Sequence, residues 1–182
     1  VAQPGELEQV FSALGQDRYA LIAGPSGAGK SALLWRAAFE LGGRFRIVRV
    51  RRVLDEDIPQ LVRYVEAQMP SDGSPVLICG DDLGRPNLAG WEELVDRLIG
   101  IPGVFLLGGV REEDFAASLL RGRAQVVRPK LDQGLAAEVV AQLQSRNTPL
   151  KLEPNEAIKR ASGLLMECPA LLVSGRRLER MV

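Results

Sequence analysis

Apolar positions along this chain change period as it proceeds. Leu7, Val10, Phe11 and Leu14 recur at three- and four-residue steps, which predicts a short amphipathic helix over 6–14. An apolar run predicts a strand over 18–23. Leu33, Leu34, Ala37, Ala38 and Leu41 then predict a helix over 31–41, stopped by Gly42-Gly43. Residues 44–53, RFRIVRVRRV, interleave β-branched and aromatic residues with arginine, the pattern of a strand with one solvated face. Asp55 is placed to cap a helix running to Met69, with Ile58, Leu61, Val62 and Val65 inward, and 70–75 is a loop. Residues 75–83, PVLICGDDL, are apolar until they end in two carboxylates, as expected of a buried parallel strand whose carboxyl end reaches a site. A helix over 91–99, a buried strand over 103–110 and a short strand over 125–128, ended by Pro129, follow. Beyond Leu131 only helical periods remain, over 135–144, 153–162 and 165–180, the last broken at Cys168-Pro169. The fold class predicted is α/β with a parallel sheet over 1–130, followed by a small helical subdomain over 131–182.

Composition narrows the chemistry. Lys plus Arg and Asp plus Glu both number 23, so net charge gives no global argument for nucleic acid or an anionic membrane. The five arginines of 44–53 would serve as a nucleic-acid stripe, but one strand without flanking basic loops reads more simply as a solvated edge. No apolar run approaches the length of a membrane helix and no signal peptide heads the chain, so a cytoplasmic protein is expected. Cys79 and Cys168 are too far apart for C-x-x-C chemistry and read as buried thiols. The absence of histidine removes imidazole bases and most zinc catalysis, leaving carboxylates and metal-bound phosphate chemistry. With Val1 first and a charged helical pattern last, the chain is expected to be a segment of a longer protein.

One stretch carries specific chemistry. Residues 24–31 spell G-P-S-G-A-G-K-S, a complete G-x-x-x-x-G-K-[ST] phosphate loop between a predicted strand and a predicted helix. Gly24, Gly27 and Gly29 allow dihedrals closed to other residues. The backbone N–H groups of Pro25-Ser26-Gly27-Ala28-Gly29 and of Lys30, Ser31 and Ala32 are then the candidate nucleotide cradle, less proline's missing donor. Lys30 would reach the β- and γ-phosphates and Ser31 would ligate Mg²⁺. Asp81, at the end of the acidic strand, is the second candidate metal ligand, and Asp82 is the candidate for orienting or deprotonating the attacking water. The bland readings are a glycine turn that binds nothing and an Asp-Asp pair that merely caps a helix. Arg111 stands either at a strand end, within reach of a γ-phosphate, or in the solvated first turn of the next helix.

Between Ser31 and Asp81 there is room for one strand and two helices, so a strand intervenes between phosphate loop and acidic strand, as in additional-strand ATPases. No LSGGQ-like signature, nucleotide-monophosphate insert or N-K-x-D motif is apparent. The series ELEQVFSAL, GPSGAGKS, VLICGDDL, FLLGGVREEDF and GLLMECPALLV resembles the nucleotide-binding module of STAND NTPases, the AAA+-related signalling and defence ATPases. That resemblance implies an ATP/ADP- and Mg²⁺-binding switch that hydrolyses slowly, with Lys30, Asp82 and Arg111 catalytic. It makes Arg111 a sensor of the γ-phosphate and residues 131–182 a lid, with Pro169 near adenine or ribose. It also implies self-association and fused sensor and effector domains. Gly80 departs from the apolar residue usual there and predicts looser packing beneath Asp81. The alternatives are an AAA+ motor or loader and a small-molecule kinase. Neither membrane nor nucleic acid is expected as a partner.

Overall fold

In the computed structural model, residues 4–69, 73–117, 122, 124–129 and 156 are described. The chain divides into two compact units. One comprises Pro4–Gly24 and Lys30–Arg128; the other comprises Val1–Gln3, Pro25–Gly29 and Pro129–Val182. The helices predicted over 135–144, 153–162 and 165–180, with Cys168 and Pro169, lie outside the described residues; Glu156 is helical.

The first unit opens with α1 (Pro4–Asp17), longer than its apolar stripe, which buries Val10, Ala13 and Leu14. Arg18 is not the first strand residue. It adopts φ +57° and donates its N–H to the Leu14 carbonyl at 3.0 Å, a left-handed cap that ends the helix and turns the chain into β1 (Tyr19–Gly24). Then come α2 (Lys30–Leu41), β2 (Arg46–Val50), α3 (Ile58–Gln68), β3 (Val76–Leu83), α4 (Trp91–Leu98), β4 (Val104–Arg111), α5 (Glu112–Ala117) and β5 (Gln125–Val127). The strands form one parallel sheet in the order β2-β3-β4-β1-β5.

Both faces of the sheet are covered, and strand alternation divides the core. Tyr19, Leu21, Val76, Ile78, Val104 and Leu106 pack with residues of α3 and α4. Ala20, Ile22, Leu77, Cys79 and Leu107 pack with residues of α1 and α2. This is why β1, β3 and β4 read as unbroken apolar runs.

Two local expectations are corrected. Asp55 makes no side-chain cap: Leu54 is the N-cap of a short 3₁₀ turn, Asp55–Asp57, and its N–H is held by Asp57 Oδ2 at 3.1 Å. The carboxylate two residues later is the one whose geometry reaches back, with α3 starting behind it and Pro59 in its first turn. Gly80 does not loosen the packing. The space a side chain would take is filled by the Trp91 ring, 2.6 Å from where a Cβ would stand. Trp91 Nε1 also donates to Tyr19 Oη at 3.1 Å in the buried interior, tying α4 to β1 under the acidic end of β3.

Candidate functional site

The carboxyl ends of parallel strands collect the candidate residues on one rim. Arg111 is the last residue of β4 and pairs in register with Gly24, the last residue of β1. It is therefore a strand-end residue, and the helix begins after it at Glu112. Glu112 is held bidentately by Arg128, at 2.9 Å and 3.2 Å, which fixes the start of α5 beside the end of β5.

Beyond Gly80 the acidic strand ceases to be regular. Gly80 lies opposite Gly108 but Leu83 lies opposite Val110, so β3 spends three steps where β4 spends two. The extra residue is a β-bulge, and Asp82 within it has φ +59°. Its N–H is held by Asp81 Oδ1 at 3.0 Å. Its carboxylate Oδ2 pairs with Arg85 Nε at 3.2 Å, and Arg85 N–H reaches the Asp82 carbonyl at 3.3 Å. Gly84 (φ +98°) completes the turn, and no side chain fits there because the Asp114 carboxyl carbon stands 2.6 Å from the Cβ position.

The bulge is accommodated by two glycines on β4. A Cβ at Gly108 would meet Leu83 at 2.6 Å and Leu21 at 2.7 Å, and one at Gly109 would meet Asp81 Oδ1 at 2.7 Å. Gly109 thus provides the floor on which the Asp81 carboxylate rests.

Lys30, the first residue of α2, is 8% exposed, the one charged side chain among the buried residues described. Burial is the largest influence on its ammonium and lowers its pKa; Asp82 opposes this most strongly, Arg111 lowers it further, and Asp81 and Glu113 raise it. Five charged groups from α2, β3, β4 and α5 therefore share one electrostatic environment. Ser31 and Ala32 follow Lys30 on exposed positions.

The loop Pro25–Gly29, in the other unit, has φ +83° at Gly27 and +89° at Gly29, and Ala28 N–H closes a turn on the Pro25 carbonyl at 3.2 Å. Those dihedrals are what its glycines predict. Pro25 and Ser26 are exposed, while Gly24, Ala28 and Gly29 are buried.

Among the described residues no group of three or more His, Cys, Asp or Glu could hold a metal unaided. Ser31 and Asp81 nonetheless fit Mg²⁺, which keeps waters and phosphate oxygens as ligands and takes one or two protein oxygens. The cradle at Gly109 supports this, since it gives Asp81 room while its other oxygen, Oδ2, has no hydrogen bond among the described residues. Arg85 and Gly109 escaped the sequence reading, which takes Glu113 only as part of a solvated first helix turn. Two adjacent glycines inside an apolar strand, FLLGGV, were the available signal of a close approach.

Cys79 is fully buried with its thiol pushed up to about 12 by desolvation, a core residue as expected. Among the described residues no helix is long and apolar enough to cross a membrane.

No protein-family model and no curated protein sequence matches the chain. Solved structures do. The chain is similar to C. elegans PCH-2 (TM-score 0.57, 13% identity, covering 91% of this chain and 56% of that one). It is similar to the Thermotoga maritima RuvB Holliday junction branch migration motor (TM-score 0.60, 21% identity, 94% and 60%). A Walker-type ATPase of Pyrococcus abyssi is a third (TM-score 0.55, 12% identity, 96% and 68%). The chain spans little more than half the length of the first two. At these identities the likeness speaks to architecture, and the all-parallel sheet with helices on both faces is that of the P-loop NTPase fold.

Proposed function

We propose that this chain binds ATP with Mg²⁺ and hydrolyses it slowly, as the nucleotide switch of a larger signalling protein. The observation that carries the reading is the buried Lys30 at the start of α2, whose ammonium feels the charges of Asp82 and Asp81 in β3, Arg111 at the end of β4 and Glu113 in α5. A buried ammonium among strand-end carboxylates is suited to a multiply charged anion accompanied by a divalent cation.

In this reading the N–H groups of 24–32 hold the phosphates and Lys30 contacts the β- and γ-phosphates. Mg²⁺, held through Ser31 and Asp81, would neutralise charge on the phosphate oxygens. A water oxygen attacks the γ-phosphorus while the bond to the ADP oxygen breaks; Asp82 accepts the water's proton, and Arg111 with Lys30 stabilises the spreading negative charge. The Asp82–Arg85 pair supports a low basal rate, because that carboxylate must part from a guanidinium before it can serve a water. We assign segment 131–182, for which the sequence predicts helices, as a lid whose state Arg111 reports on, with Pro169 at the base or sugar. Self-association and fused domains belong to the same proposal.

Titration calorimetry with MgATP and a phosphate-release assay test the binding and turnover parts. Saturable binding with turnover below about 1 s⁻¹ is the expected result. Hydrogen exchange of 165–172 in ATP, ADP and nucleotide-free samples tests the switch. Exchange should differ between ATP and ADP, and Arg111→Ala should erase the difference. Identical exchange in all three would leave an ATPase with no switch. The likeness to a branch-migration motor favours a second reading, an ATPase cycling on a macromolecule. Turnover stimulated manyfold by a polymer such as duplex DNA would select it.

A further inference from the structure

β2 is the terminal strand of the sheet, with β3 on one side and, among the described residues, no strand on the other. The expectation of one solvated face is corrected here. Val48 packs toward α3 and Ile47 toward α2, so both faces are half covered and the arginines distribute between them. Arg46 shares a face with Val48, and Arg49 shares one with Ile47. The parallel register then determines which peptide groups are used. Arg46 N–H donates to the Pro75 carbonyl at 2.8 Å, and the pairing from Arg46↔Val76 to Val50↔Gly80 commits Arg46, Val48 and Val50 to β3. The N–H and C=O groups of Ile47 and Arg49 point away from the sheet.

Arg44, Arg46, Arg49 and Arg51 are exposed, and none has an acidic partner among the described residues, whereas Arg52 is shared with Glu56 and Asp57 at 3.7 Å. The Arg49 guanidinium lies over the Trp35 ring at 4.5 Å, which holds it alongside the edge. Unpaired peptide groups template an added strand, and the like charges of two such edges discourage pairing between copies.

We propose that the β2 edge accepts an extended acidic segment of a partner protein as an added strand. Each residue of such a strand lies beside a β2 residue on the same face. The complement of Arg46-Ile47-Val48-Arg49 is therefore acidic–apolar–apolar–acidic. The three-residue step puts the two carboxylates on opposite faces, and the pattern reads alike in both directions. Simple alternation of acidic and apolar residues would match one arginine only.

In the sheet β3 and β4 stand between β2 and β1, so Lys30→Ala protein should bind the segment as wild type does, and failure here leaves the nucleotide reading standing. The test is fluorescence anisotropy with the full chain and the labelled peptide Thr-Val-Thr-Glu-Val-Val-Glu-Thr-Val-Thr. It should bind saturably. The permuted core Glu-Val-Glu-Val should bind about fivefold more weakly, and Arg46→Glu with Arg49→Glu should weaken binding about tenfold or more, while lysine at both positions restores most of it. Of the two alternate sets of peptide nitrogens, one faces β2, and N-methylation of that set should abolish binding while methylation of the other leaves it; circular dichroism checks that the variants fold. Absence of binding, equal binding of the permuted peptide or of both N-methylated peptides, or tighter binding of an oligothymidylate than of the peptide would overturn the proposal, the last in favour of a nucleic-acid edge.

Discussion

The loop at 25–29 and the turn at 81–85 both bend the chain through left-handed dihedrals, but they reach them differently. In the first, glycines at 27 and 29 take φ +83° and +89° without steric cost. In the second, the left-handed residue nearest the strand is Asp82, at +59°, and Gly84 follows at +98°. An L-residue there costs on the order of 1 kcal/mol, and Asp is among the residues that tolerate it best. Asp82 is held in that conformation by Asp81 Oδ1 on its N–H and by Arg85 on its carboxylate. One turn takes its shape from residue choice; the other is shaped by its neighbours, and it keeps a carboxylate where glycine would be cheaper. Strain retained beside a buried lysine is the pattern expected of a site selected for chemistry rather than stability.

Five experiments press on that contrast. The largest effect is expected from Asp82→Asn, which leaves the turn intact but removes the proton acceptor. Phosphate release should fall about 10²- to 10⁴-fold with MgATP affinity nearly unchanged. Wild-type turnover would return Asp82 to the status of a turn residue. Lys30→Ala should weaken MgATP binding about 100-fold by calorimetry while the thermal transition stays close to wild type, because the charge serves the ligand more than the fold. Unchanged affinity would mean that the glycine turn at 25–29 binds nothing.

Next come the glycines beneath the bulge. Gly80→Ala drives a methyl into the fully buried Trp91 ring, and it should destabilise the protein by about 1–3 kcal/mol in urea. A neutral result would show that Trp91 has room to retreat. Gly109→Ala puts its methyl against Asp81 Oδ1, so the Mg²⁺ concentration needed for half-maximal phosphate release should rise about tenfold. No change would remove Asp81 from the metal site. The smallest effect sharpens the comparison most. Asp82→Gly relieves the left-handed strain but loses the side chain, and its shift in stability, read in urea, should be no more than about 1 kcal/mol in either direction. A loss of several kcal/mol would mean that the Asp82 contacts outweigh the strain.

Sequence alone determined what depends on neighbours along the chain. The phosphate loop was legible because its dihedrals are written in glycines, and β1, β3 and β4 because burial on both faces leaves an unbroken apolar run. Helix α1 was legible from its period, but Arg18, its left-handed cap, was indistinguishable from a strand residue. What tertiary structure decided is a matter of register. The one-residue gain between Gly80 and Leu83, the fit of Asp81 over Gly109, and the pairing of Arg111 with Gly24 rather than with a solvated helix turn arise between strands far apart in sequence. The same holds at the sheet edge, where alternation was visible but the strand order was not, and only the order shows that both faces of β2 are half covered. Periodicity is a local property, whereas register is fixed by which side chains fill which gaps across the sheet, and no single strand carries that information.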